Sequence, residues 1–156
     1  LRIFFRKYFL VMSNQMKNVV IYKRTSSLAN CGEGKDSHIR QEKTCADYCK
    51  SKKWNVVATF YDKGVSGSIY PFRRKSFSNL YIYCLHNNID TVVFESLSRF
   101  SRTQLETELA YRKLRDENFH LVSVVDGNPC MKNCNVLTNI IGKARDIDVT
   151  PEDEKS

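Results

Sequence analysis

Apolar and polar positions along the chain follow two alternating rhythms. Short β-branched runs read as strands: "NVVIY" at 18–22, "WNVVATFYD" at 54–62, "DTVVFES" at 90–96 and "FHLVSVV" at 119–125. Between them lie segments whose apolar residues recur three and four apart, the spacing of a helix face. "SHIRQEKTCADYCKSK" reads as a helix opened by Asp36 or Ser37 as its cap. "RRKSFSNLYIYCLHNN" places Phe77, Leu80, Tyr81, Cys84 and Leu85 on one stripe, and "TQLETELAYRKLRDEN" turns Leu105, Leu109, Ala110 and Leu114 inward. A last helix, "NVLTNIIGKARDI", carries Val136, Leu137, Ile140, Ile141 and Ala144 on one face, and Thr150-Pro151 ends it. "DKGVSGSIYPF" and "DGNPCMKNC" read as loops, the first rich in Gly and Ser and closed by Pro71.

The order is βαβαβαβα. Strands that are almost continuously apolar belong in a sheet buried on both faces. With right-handed crossovers this predicts an α/β fold: a mainly parallel central sheet with helices on both faces, a flavodoxin-like three-layer sandwich. One domain is expected over residues 18–148, with 1–17 an extension outside the ordered fold and 149–156 an acidic tail.

The length of 156 residues suits one domain with a real core rather than two. The net charge of +8 points to an anionic partner, with simple solubility as the plain alternative. That charge is unevenly placed: Arg2, Arg6, Lys7, Lys17, Lys23 and Arg24 fall in an N-terminal stretch without an acid, while "RDIDVTPEDEKS" is mostly acidic. "LRIFFRKYFLVM" is too short and too charged to span a membrane, and no A-x-A-like cleavage site follows it. Met12 or Met16 reads as the working start. No membrane partner is expected, and the cytoplasm, or a nucleus-like DNA compartment, is the expected location.

Six cysteines stand at positions 31, 45, 49, 84, 130 and 134. Cys45, Cys49 and Cys84 fall on helix stripes and read as small core residues. Cys130-x-x-x-Cys134 is half of a zinc pattern with no second pair behind it, so no metal and no other cofactor is expected. His38, His86 and His120 form no Ser-His-Asp pattern.

In an open parallel sheet the loops after successive strands converge at one edge. The first of them carries Arg24, Ser26 and Ser27. The second carries Asp62, with Arg73 and Arg74 at the next helix start; the third carries Ser98, Arg99 and Arg102. Arginines so gathered can be a solvated basic face, a phosphate-binding patch or a clamp on a phosphoryl transition state. Arg99 and Arg102 are three apart and can face one ligand. Bidentate guanidinium contacts suit a phosphodiester whose oxygens gain charge during reaction, and a serine in that field is oriented and partly activated.

"VVIYKRTSS", "SHIRQ", "FYDKGVSGS", "RRKSF" and "SRFSR" appear in the order found in the serine recombinases, the resolvase/invertase family, and residues 18 to about 126 resemble that family's catalytic domain. The resemblance implies that Ser26 is the nucleophile, in the motif Tyr22-x-Arg24-x-Ser26. Gln41 helps arrange the site, across a loop, "LANCGEGKDS", longer than in small resolvases. Asp62, Ser66 and Gly67 match the Asp-x-x-x-Ser-Gly loop, and Arg74 matches the arginine of the following helix start. The Asp-Arg-Leu-x-Arg box becomes Ser98-Arg99-Phe100-Ser101-Arg102, with a serine where the family has its acid. The implied chemistry is metal-free transesterification: Ser26 attacks a DNA phosphodiester while Arg24, Arg74, Arg99 and Arg102 hold the phosphate. The implied DNA contacts are Arg73, Arg74, Arg99 and Arg102. The implied partners are double-stranded DNA and further copies of the chain, as dimers pairing into tetramers.

In the family a long dimerisation helix follows this domain, and residues 135–148 resemble its start. No helix-turn-helix or zinc ribbon fits in the sequence beyond it, so a separate DNA-targeting protein or domain is expected. Two other readings stand beside the recombinase: a non-catalytic resolvase-like protein that binds DNA or a recombinase subunit, and a flavodoxin-like module whose basic loops hold a small phosphorylated ligand.

Overall fold

A computed structural model describes residues 15–26 and 36–127. Strand β1 spans Asn18–Thr25, helix α1 Ser37–Ser51, strand β2 Asn55–Lys63, helix α2 Lys75–Asn87, strand β3 Thr91–Phe94, the short helix α3 Leu97–Phe100, helix α4 Gln104–Asp116 and strand β4 His120–Ser123, with a 3₁₀ turn at Pro71–Arg73. The strands form one sheet in the order β2-β1-β3-β4, and every pairing is parallel. The expected α/β architecture is therefore present. The expected helix at 135–148, the terminal tail, Ser27, most of the loop after β1, and Cys31, Cys130 and Cys134 lie outside the described residues.

Each face of the sheet has its own core. On one face α1 lays Cys45 and Cys49 over Val19, Ile21 and Val93. On the other, Phe77, Leu80 and Cys84 of α2 join Phe100, Ala110 and Leu114 over Val20, Tyr22, Val92, Phe94 and Leu121. Burial pushes the thiols of Cys45 and Cys84 up to about 12. β1 and β3 are buried on both sides, as their apolar runs predict.

β2 departs from that expectation: it is an edge strand, with Asn55, Val57 and Thr59 exposed. The register against β1 shifts between Val19, paired with Val56, and Val20, paired with Ala58. Val57 is the extra residue of this bulge. A one-residue slip exchanges the faces of a strand, so Val56 packs on the α1 side while Ala58 and Phe60 pack on the α2 side.

Three predicted core leucines are corrected. Leu85 is exposed, and so are Leu105 and Leu109. One step along a helix turns by about 100°, so the row Leu105–Leu109 lies beside the buried row Ala110–Leu114 rather than on it. The apolar stripe in the sequence is wider than the surface the sheet covers. Asp36 does take the N-cap position of α1, but neither it nor Ser37 caps a backbone N–H with its side chain; the Ser37 hydroxyl instead accepts from the Gln41 amide.

Candidate active site

β1 runs on past its pairing with β3, which covers only Val20 and Ile21. Backbone groups beyond that point face a strand that has ended, and a buried backbone group needs a partner. Gln41 supplies it: from α1 its Oε1 accepts the Arg24 N–H at 3.1 Å and its Nε2 donates to the Arg24 carbonyl at 3.1 Å. A side-chain amide thus stands in for the missing strand and fixes the backbone two residues before Ser26. Ser26 follows β1 directly and is half-buried. Its Cα lies within about 7 Å of that of Arg24 by chain geometry alone.

The Arg24 side chain turns inward and is fully buried. Its Nε donates to the Arg99 carbonyl at 3.0 Å, Nη2 to the Ser98 carbonyl at 2.8 Å and Nη1 to the Val65 carbonyl at 2.6 Å. Burial first, then the charges of Arg74, Arg102 and Arg99, push its pKa down to about 10 against the pull of Tyr22. It remains a cation at neutral pH.

Arg74 is buried just as deeply. A guanidinium has five N–H donors, and the protein uses all of them: two on the Ile69 carbonyl at 2.9 and 2.7 Å, one on Gly67 at 3.2 Å, one on the Tyr22 hydroxyl at 3.1 Å and one on the Phe100 carbonyl. In this arrangement Arg74 has no donor left for a ligand. The resemblance implies a phosphate contact from Arg74; in this arrangement its side chain ties the 67–69 turn to α3.

Asp62 completes the buried layer. Its Oδ2 accepts the Tyr22 hydroxyl at 3.0 Å and the Phe77 N–H at 3.1 Å, and its Oδ1 accepts the Ser76 N–H at 2.9 Å. It therefore caps α2 from the neighbouring strand and sets a negative charge against the positive end of that helix. Burial, countered by Arg74 and reinforced by Asp62, raises the Tyr22 phenol well above its ordinary range.

Gly67 is where the loops meet. Its carbonyl accepts from Arg74, from the Arg102 N–H at 3.0 Å and from the Ser101 hydroxyl at 3.4 Å. A Cβ on Gly67 would lie 2.6 Å from Arg102 Cγ and 2.8 Å from Arg24 Nη2. Ser66 is exposed, and its hydroxyl accepts the Ser68 N–H at 3.2 Å.

The groups open to a ligand are on the outer layer. Arg102 is exposed, Arg99 is half-buried, and Arg73 is exposed on the 3₁₀ turn with no side-chain bond among the described residues. The Ser98 hydroxyl shares a hydrogen bond with Ser96 at 2.9 Å. The carboxylate that reaches Arg99 is not at position 98. It is Glu95, at the end of β3, whose Oε2 accepts Arg99 Nε at 3.2 Å while Oε1 accepts Arg40 Nε at 3.1 Å. Glu95 and Arg40 do not stand out in the sequence. Glu95 stands four residues before Arg99, the spacing of a helical ion pair, and Arg40 adjoins Gln41; neither signal distinguishes a site residue from an ordinary surface pair. From the far side, Asp126 accepts the Leu97 N–H at 2.7 Å and the Ser123 hydroxyl at 2.6 Å, so the loop after β4 caps the arginine-bearing turn.

Among the described residues no group of three or more His, Cys, Asp or Glu side chains gathers as a metal site, and no helix is long and apolar enough to cross a membrane.

A four-stranded parallel sheet flanked by helices, with an arginine-rich edge, is the resolvase-like α/β catalytic fold. The family model "Resolvase, N terminal domain" matches residues 19–146, and the chain belongs to that family, whose members are serine recombinases. The chain is similar in structure to the N-terminal catalytic domain of TP901-1 integrase, with 24% identity and a TM-score of 0.69 over 85% of this chain and 100% of that one. It is also similar to a resolvase family site-specific recombinase from Streptococcus pneumoniae, with 19% identity and a TM-score of 0.62 over 84% and 89% of the two chains. The C-terminal catalytic domain of ISC1926 TnpA, an IS607-like serine recombinase, gives 20% identity and a TM-score of 0.58 over 83% and 82%. No curated protein matches the chain by sequence.

Proposed function

We propose that this domain breaks and rejoins double-stranded DNA at specific sites, with Ser26 as nucleophile and no metal in the step. The Ser26 oxygen forms a bond to phosphorus as the bond to the deoxyribose 3′-oxygen breaks. The serine proton is released, and the departing 3′-oxygen takes one up. The products are a 5′-phosphate esterified to Ser26 and a free 3′-hydroxyl. Attack by a 3′-hydroxyl on that ester reverses the step and rejoins DNA. The number of phosphoester bonds is unchanged, so no ATP is needed.

One observation carries this reading: Arg24 bonds the carbonyls of both Ser98 and Arg99, so the strand that delivers Ser26 and the turn that delivers Arg99 and Arg102 are held as one unit. Arg99 and Arg102 then meet the phosphate oxygens. Buried Arg24 and Arg74 supply positive field from behind, where a low dielectric makes fixed charge effective. Arg73 contacts the DNA backbone outside the reacting phosphate. Dimers pairing into tetramers would exchange the strands.

The test is covalent trapping on a nicked duplex under single-turnover conditions. Ser26→Ala abolishes the protein–DNA adduct and Ser27→Ala retains it; an adduct that survives Ser26→Ala overturns the assignment. A second reading, a non-catalytic member that binds DNA or a recombinase subunit, draws on Ser98 and on the fully occupied Arg74 donors. It prevails if the wild-type chain binds duplex but forms no adduct even beside an active recombinase.

A further inference from the structure

Glu95 is a nearly buried carboxylate with one arginine on each oxygen: Arg40 from α1 on Oε1 and Arg99 from α3 on Oε2. Both are held through Nε. The Nη groups of Arg40 and Arg99 have no partner among the described residues, and the Arg40 side chain is 61% exposed. A planar guanidinium gripped at Nε has its Nη edge free for a bidentate contact. The two arginines flank the Arg24–Gln41 backbone from which Ser26 emerges, since Arg40 adjoins Gln41 and the Arg99 carbonyl accepts from Arg24. A buried carboxylate costs desolvation that an apolar residue would avoid, and orienting two cations offsets that cost with a function.

We infer that Glu95 is a positioning residue that clamps Arg40 and Arg99 into one two-arginine cradle for a DNA phosphate, taking over from the acid absent at position 98. Arg40 thereby becomes a phosphate-contacting residue. The inference rests on the DNA-cleavage reading for the identity of the anion, but its central claim, that Arg40 and Arg99 act together through Glu95, is measured by binding alone.

The experiment is a double-mutant cycle on the affinity of the full chain for a short nicked duplex, with Arg40→Ala and Arg99→Ala, repeated in a Glu95→Gln background. Glutamine has the shape of Glu95 but cannot accept two Nε–H groups equally, since one of its terminal atoms is a donor. Thermal melting verifies that each variant is folded. In the wild-type background the two alanine effects should fall short of multiplying by about five-fold or more; in the Glu95→Gln background they should multiply. Simple multiplication in the wild-type background overturns the inference, whether or not the protein cleaves DNA. If Glu95→Gln unfolds the chain, Glu95→Asp serves instead: one methylene shorter, it should keep the charge and lose most of the coupling, and full retention of coupling would count against the clamp. Where adducts form, Glu95→Gln should slow them about 100-fold at saturating DNA, the scale of a displaced reacting group, and adding Ser98→Asp should restore at least part of that rate. Coupling without any adduct would leave the clamp standing and remove the cleavage reading.

Discussion

Arg24 and Arg74 stand at positions where the sequence shows only charge, yet their side chains behave as core. A reading by residue type assigns every arginine of the cluster to an outside anion. The structure divides them, with Arg24 and Arg74 bonded to carbonyls of the protein, Arg99 half-buried against Glu95, and Arg102 exposed. Nothing local to either pair announces the difference, because it depends on which loop carbonyls lack a partner, a property of three loops together. Gly67 is the residue most sensitive to this packing. In Gly67→Ala the exposed Arg102 side chain can swing away from the new methyl, but Arg24 Nη2 is pinned by the Ser98 carbonyl and cannot. The expected cost is about 1–3 kcal/mol, the usual range for an overpacked site, read as a lowered urea midpoint at unchanged slope. An unchanged midpoint would mean that the loops yield without disturbing Arg24.

At the scale of elements, strands and helices were legible because each has its own period, and the parallel order followed from their alternation. Three features were not. The β2 bulge is a pairing fact, and a strand shows its register only beside its neighbour. The helix stripes gave direction but not width, so Leu85, Leu105 and Leu109 were read as buried. The cap of α2 comes from Asp62 on another strand, beyond the reach of any local capping rule. That last contact makes a sharp test. Asp62→Asn keeps the shape of the side chain but loses the charge at the helix start and turns one acceptor into a donor facing N–H groups. Leaving a buried donor unpaired costs about 1–3 kcal/mol. The substitution should therefore lower the midpoint by that order and, by releasing Tyr22 and Arg74 along with α2, weaken DNA binding. A midpoint equal to wild type would show that water or a neighbour replaces the carboxylate at no cost.

For the whole molecule, two cores on opposite faces of one sheet make its stability depend on thiols that stay protonated. Cys45 serves one core and Cys84 the other, each raised from about 9.0 to about 12 by burial. A group whose pKa is higher in the folded than in the unfolded chain contributes stability that is complete below the unfolded value and fades as pH climbs through the folded one. Melting temperature should accordingly fall progressively between about pH 9 and pH 12, and Cys45→Ala with Cys84→Ala should flatten that fall while lowering stability at pH 7. An alkaline slope that the double substitution leaves intact would assign the effect elsewhere, with the raised Tyr22 phenol as the next group to examine. Arg24 and Arg74 have a parallel consequence for how the protein responds to mutation in a cell. They bind six carbonyls, those of Val65, Gly67 and Ile69 in the loop after β2 and those of Ser98, Arg99 and Phe100 at the end of α3, where a helix leaves its last carbonyls without an intrahelical donor. In a screen that counts surviving protein rather than recombined DNA, substitutions at Arg24 and Arg74 would be depleted alongside those at Phe77 and Leu80. Ser26 and Arg102 would tolerate change in that screen and fail only where DNA must be cut.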